Sequence, residues 1–206
     1  MCNFCDLASK MGGSKVVKDR EEFVQTMMAY GVKSKDCNGW TPLHHAIARK
    51  LPKMVEKILK FYEINEIKAF LADTSTNIIC FYHQDFETYK VLFDHGIDAN
   101  EECLYAGMVV AIFLNNKQLI ELFFENGFEV DKVDHGKTSL HLALELSTAE
   151  ITKLLIQHGA SLGIRDENGN TALEITCKPP APPVGIHKQT EKLKMFKQIV
   201  HLGSNL

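Results

Sequence analysis

No stretch of this sequence is apolar enough to cross a bilayer. The longest unbroken apolar run, Ala106 to Leu114, has nine residues, whereas a spanning helix needs about 20. A buried helix is the reading that fits it. An excess of one charge is also missing. The 23 Lys and Arg against 26 Asp and Glu leave a formal net charge of -3, which gives no electrostatic case for a nucleic-acid partner. The N-terminal MCNFCDLASKMGG lacks the apolar core of a secretory signal and has no Gly at position 2, and LGSNL at the other end has no prenylation Cys. A cytoplasmic or nuclear location is therefore expected, away from membranes. The six cysteines do not form a disulfide pattern. Cys37, Cys80, Cys103 and Cys177 stand singly along the chain, as reduced structural thiols do.

Catalytic constellations are absent too. The sequence has no G-x-S-x-G, no G-x-x-x-x-G-K, no G-x-G-x-x-G and no H-E-x-x-H. Gly12-Gly13-Ser14-Lys15 lacks the glycine spacing and the preceding strand of a phosphate loop, and reads as a turn. Cys2 and Cys5 form C-x-x-C without the second ligand pair that a zinc site needs. Glu101 and Glu102 read as solvated turn residues. Lys188, Lys192, Lys194 and Lys197 read as the wet side of a terminal helix, not as a nucleic-acid footprint. An enzymatic alternative would rest on His45, His83 and a cysteine, with nothing to orient a nucleophile and a base. No catalytic residue, cofactor or metal is expected.

What the sequence does contain is a repeat. Residues 36–48 read DCNGWTPLHHAIA, residues 134–144 read DHGKTSLHLAL, and DENGNTALEIT begins at Asp166. The shared frame is D-x-x-G-x-T-x-L-H, with the second copy one residue short. A second signature, an apolar pair followed by two spacers and Gly, runs out of phase with the first. It appears in VLFDHGIDAN, ELFFENGFEVD and KLLIQHGASL, and places Gly96, Gly127 and Gly159 at intervals of 31 and 32. Gly31 falls two periods before Gly96, and Gly203 falls one period plus about eleven residues after Gly159.

Each part of the frame has a mechanical reason. Asp and Gly make a tight turn, Thr caps the helix that follows, and Pro at the first helical position needs no amide partner. Leu140, Ala143 and Leu144 mark the face of one short helix, and Ile151, Leu154 and Leu155 mark that of a second. Gly then closes the second helix. A single unit of this kind cannot bury its own apolar face, so neighbouring units must stack.

The pattern resembles the ankyrin repeat, whose frame contains T-P-L-H-x-A at a period of 33. The match is best in 36–59 and 134–173, weaker in 86–131, and faint in 3–35 and 60–85. The resemblance implies an all-α solenoid of about six helix-turn-helix repeats, at 3–35, 36–69, 70–102, 103–133, 134–165 and 166–206, in a single domain over 1–206. Two departures stand out. Residues 61–74, FYEINEIKAFLADT, lack the closing Gly and read as a reshaped junction. Residues 178–190, KPPAPPVGIHKQT, interrupt the last repeat with four prolines, which exclude helix there and favour an extended chain. The following EKLKMFKQIVHLG has the make-up of a capping helix.

The resemblance also implies a function. His44 and His141 are expected to tie turns to neighbouring backbone. The chain is expected to be a monomeric, non-catalytic module that binds a protein through turn tips and inner helices. It would act by inhibiting or sequestering a signalling or transcription factor. In the family, specificity sits at variable positions, which here are Asn38, Trp40, Arg49, Lys137, Glu145, Glu167 and Asn170, with Cys37, Ala48, Leu146 and Asn168 in the same register. Trp40, the single Trp, either projects toward a partner or packs on a neighbouring turn. The chain is similar to inhibitors of Rel transcription factors, without their D-S-G-x-x-S phosphodegron, and to short viral or pathogen ankyrin proteins that act on host proteins. The alternative is a scaffold that presents 178–190 to an aromatic groove.

Overall fold

A computed structural model describes residues 20–36, 39–72, 85–146 and 148–177. Every regular element among them is a helix. The chain divides into two compact units, Met1–Gly107 and Met108–Leu206. In the first unit lie α1 (Arg20–Tyr30), α2 (Pro42–Ala48), α3 (Pro52–Leu59), α4 (Ile64–Ala72) and α5 (Phe86–Asp94). Helix α6 (Glu102–Phe113) carries the chain into the second unit. That unit holds α7 (Lys117–Glu125), α8 (Ser139–Glu145), α9 (Ala149–Gln157) and α10 (Ala172–Cys177). In the first unit α2 packs on α1 and α3, and α3 packs on α5. In the second, α8 packs on α9 and on α10. This is the all-α, helix-turn-helix architecture expected of the repeat.

The frame residues do what their chemistry suggests. The frame alanines Ala46, Ala111 and Ala143 are fully buried. In each case the amide that opens the next helix donates back to the alanine carbonyl: Leu51 to Ala46 at 3.0 Å, Asn116 to Ala111 at 2.8 Å, Thr148 to Ala143 at 3.0 Å. A small side chain lets the two helices of a unit approach closely at this bend. The second helices close identically as well. Gly96, Gly127 and Gly159 have φ of 77°, 80° and 86°. The residue after each donates to a carbonyl five back, as in Phe128 to Phe123 and Ala160 to Leu155, both at 3.0 Å. That is the Schellman closure, and it satisfies carbonyls the helix would otherwise leave open.

The short second copy of the frame has its own geometry. Asp134 and Lys137 exchange both backbone hydrogen bonds at 2.9 Å, with His135 at φ 45° and Gly136 at φ 72° between them. Two successive residues at positive φ make a two-residue turn of type I′. The full-length copies use one residue more, with Asp36 donating to Trp40 at 2.8 Å and Asp166 donating to Asn170 at 2.9 Å.

The reshaped junction is helical. Where the other repeats have a turn, α4 begins five residues after α3 ends, and the Glu66 carboxylate accepts from the Glu63 amide at 2.9 Å. One sequence expectation needs correction. The run Ala106 to Leu114 is not buried to its end: Phe113 and Leu114 are each 63% exposed, because they stand at the bend and not between helices. Leu173, in the frame position of the fully buried Leu43 and Leu140, is 40% exposed. Helices α3 and α9 cover α2 and α8, whereas no described helix follows α10.

Candidate partner-binding surface

In the first unit, the turn before α2 is built on the Asp36 carboxylate. Its Oδ1 accepts from the Trp40 amide at 2.8 Å, and its Oδ2 lies 2.9 Å from His45 Nε2. The other ring nitrogen of His45 lies 2.5 Å from Arg49 NH1. A guanidinium only donates and a carboxylate only accepts, so the two contacts select neutral His45 with the proton on Nε2. Burial holds the His45 pKa below its ordinary value. The bond to Asp36 opposes that shift, and the Arg49 charge adds to it. Trp40 is half-buried. Its ring lies 5.1 Å from that of His45 and 6.0 Å from that of His44, so it rests on histidines of its own repeat. Trp40, His45 and Arg49 thus form one strip from the turn to the end of α2.

In the second unit, Lys137 stands between two carboxylates. Its Nζ is 3.0 Å from Glu145 at the end of α8 and 3.3 Å from Glu167 in the next turn. The hydrogen bond to Glu145 raises the lysine pKa, against a smaller opposing effect of burial, with Glu167 assisting. The two turns touch closely: a Cβ on Gly136 would sit 2.6 Å from the Glu167 Cβ. Three of the expected contact residues, Lys137, Glu145 and Glu167, therefore come together. Asn170 is drawn into its own turn, where its side-chain amide donates to both Asp166 oxygens at 3.0 and 3.2 Å. Burial would raise the Asp166 pKa, but the bonds from Asn170 and Asn168 outweigh it and lower the value to about 2. Ala48 and Leu146 are half-buried and Asn168 is exposed. Cys37, Asn38, His83, the Cys2–Cys5 pair, Gly12–Lys15, the lysines from 188 to 197, the proline segment 178–190 and the helix expected after it all lie outside the described residues.

The frame histidines hold turns together. His141 Nδ1 accepts from the Thr138 amide at 3.1 Å, and its Nε2 lies 3.1 Å from the Ile164 carbonyl in the following turn. His44 Nδ1 accepts from the Thr41 amide at 2.9 Å, and its ring packs 4.2 Å from that of Phe70. In the third copy Glu174 replaces the histidine and makes the same reverse cap, accepting from the Thr171 amide at 2.6 Å. The T-x-x-E spacing is the signature of a capping box and would have revealed it. Two further features escaped the sequence: the Asp36–His45–Arg49 chain and the exposed Phe113–Leu114 pair. Aligning Phe113 with Ala48 and Glu145 would have placed the pair at a bend.

Among the described residues no group of three or more His, Cys, Asp or Glu is placed to hold a metal ion, and no helix is long and apolar enough to cross a membrane. The arrangement offers side chains for contact.

A family model for ankyrin repeats, in three copies, matches residues 107–178, and a single-repeat model matches 38–66. NF-kappa-B inhibitor zeta of Bos taurus is 25% identical over 172 residues, covering 79% of this chain and 24% of that protein. The putative ankyrin repeat protein FPV031 of fowlpox virus is 27% identical over 118 residues, 54% of this chain and 33% of that one. The crystal structure of the ankyrin repeat domain of Bcl-3, described as a unique member of the IkappaB protein family, superposes with a TM-score of 0.63 at 19% identity. It covers 88% of this chain and 79% of that one. The chain spans 14% or less of the length of the first curated relatives it matches.

Proposed function

We propose, from the premise that this chain belongs to the ankyrin-repeat family, that it is a non-catalytic module that binds a protein through its turn tips and inner-helix ends. One observation carries this reading. Three repeats share a buried frame and the same alanine-anchored bend, yet the bend presents Ala48-Arg49, Phe113-Leu114 and Glu145-Leu146. The frame does not dictate these side chains, and an exposed apolar pair such as Phe113 and Leu114 is a feature of binding surfaces. The similarity to NF-kappa-B inhibitor zeta and to the Bcl-3 domain supports a regulatory partner, one whose activity is held in check by sequestration. The residues we assign to contact are Asn38, Trp40, Arg49, Lys137, Glu145, Glu167 and Asn170, with Phe113 and Leu114 added from the structure.

Affinity capture with the whole chain as bait, quantified by mass spectrometry, tests this reading. Wild type should retain one or a few proteins that a doubly substituted Phe113→Ser/Leu114→Ser chain of unchanged circular dichroism loses. Equal recovery by both baits would remove these bends from the binding surface.

A further inference from the structure

We propose that the face of the second repeat formed by Trp40, Arg49, Lys50 and Lys53 binds an acidic, extended segment of a partner protein that carries an apolar or aromatic side chain beside its carboxylates. This inference rests on the interaction reading and gives the chemistry of one part of it.

Two of these residues are held in place, and the two lysines follow them at the bend. Trp40 lies on the His45 ring, and Arg49 is anchored to the same ring. Lys50 follows Arg49 directly, exposed, at φ 58°. Lys53 is exposed in the first turn of α3. A lysine at positive φ is uncommon and costs free energy that Asn or Gly would not. The equivalent bend in the fourth repeat has Asn115 at φ 55°, so the fold itself does not ask for lysine.

The charge of the two lysines is uncompensated among the described residues. Lys33, Lys60 and Lys68 of this unit each lie within 4.0 Å of a carboxylate. No carboxylate among the described residues lies within that distance of Lys50 or Lys53. The carboxylate in the strip, Asp36, has a side chain 7% exposed and is engaged by Trp40 and His45. Glu56, on the helix that carries Lys53, lies 3.4 Å from Lys60. The cations are also not a property of the repeat. In the fifth repeat the positions of Trp40, Ala48, Arg49 and Lys53 hold Lys137, Glu145, Leu146 and Glu150, and the same frame folds beneath them.

Three cations beside an indole suit a short acidic peptide. The carboxylates meet Arg49 and the lysines, and an apolar side chain covers the ring of Trp40. A nucleic acid is disfavoured, since its affinity is supplied largely by many cation–phosphate contacts along the backbone and this face offers three cations.

Trp40 is the chain's single Trp, so its emission reports on this face alone. The test titrates the full chain with three probes: a short capped peptide of glutamates around a central Phe, its lysine counterpart, and a single-stranded DNA oligonucleotide of matching charge. The glutamate peptide should change Trp40 emission saturably, with weaker binding at higher salt. Lys50→Asn/Lys53→Glu should weaken it by roughly tenfold with circular dichroism unchanged, because Asn tolerates positive φ. The lysine peptide should leave the emission unaltered. The proposal is overturned if the glutamate peptide has no effect, if the double variant binds as wild type does, or if the lysine peptide or the DNA binds as tightly. Should the glutamate peptide fail while a captured partner still quenches Trp40, the acidic chemistry is wrong and the interaction reading stands.

Discussion

The imidazole of His45 donates through Nε2 to the Asp36 carboxylate at 2.9 Å and accepts at Nδ1 from Arg49 at 2.5 Å. The side chains of His45 and Asp36 are only 10% and 7% exposed, so the chain works in a largely dry setting with histidine neutral. Protonation would turn Nδ1 into a donor facing the guanidinium and break the contact with Arg49.

A pH dependence follows. Burial first, and the Arg49 charge with it, lower the folded-state pKa of His45 below 6.5, the Asp36 bond opposing. The unfolded chain therefore binds more protons in the window from about 6.5 down to the folded value, and stability falls with pH there. His45→Gln keeps a donor for Asp36 and an acceptor for Arg49 but cannot titrate. Urea midpoints of wild type and His45→Gln should run parallel above pH 7.5 and separate below about 6.5, with wild type losing more. Parallel profiles throughout would contradict the assignment.

Ser139→Pro should stabilise the protein. Ser139 is fully buried at the first position of α8, and its hydroxyl has no hydrogen-bond partner. Pro42 occupies the equivalent position of α2 and is buried as well. Thr138 before it is extended, at φ -90° and ψ 166°, a conformation compatible with a following proline. Removing an unsatisfied hydroxyl and restricting the unfolded chain should add about 1 kcal/mol, read as a higher thermal midpoint.

Gly107→Ala should do the reverse. A Cβ there would lie 2.0 Å from the Tyr89 hydroxyl and 2.7 and 2.9 Å from ring carbons, and Tyr89 is 1% exposed. The ring has nowhere to go without moving α5. The expected loss is about 2 kcal/mol. Combination with Tyr89→Leu should recover part of it, which an effect unrelated to packing would not allow.

Asp166→Ala should destabilise the turn before α10, because the carboxylate gathers bonds from the amides of Asn168 and Asn170 and from the Asn170 side chain. Burial opposes the charge, but these bonds outweigh it and bring the pKa to about 2 from 3.8. Its contribution is present above pH 4 and is lost as pH falls through the folded value. Acid unfolding of wild type and Asp166→Ala should therefore converge near pH 2.

What the sequence showed and what it hid divide on physical grounds. Thr-Pro-Leu-His, the frame alanines and the closing glycines were legible because each answers a local demand: a cap, a close approach, a positive φ. The contact residues were legible only as register positions. Whether Lys137 meets Glu145 and Glu167, or Asn170 turns inward to Asp166, depends on contacts across turns that spacing does not encode. His45 was visible as an unusual residue but its role was not, since that role is defined by Asp36 nine residues before it. The exposure of Phe113 and Leu114 was hidden because an apolar run reads as core until the bend that ends it is located.

The central claim is that side chains the frame does not need, Trp40 and Arg49 among them, bind a protein partner. The most direct measurement is the dissociation constant of a captured partner for wild type, Trp40→Ala and Arg49→Ala, with folding checked by circular dichroism. The account predicts folded variants and, for Trp40→Ala, affinity lower by about 2 kcal/mol, roughly thirtyfold. A folded Trp40→Ala chain that binds the partner as tightly as wild type would contradict it.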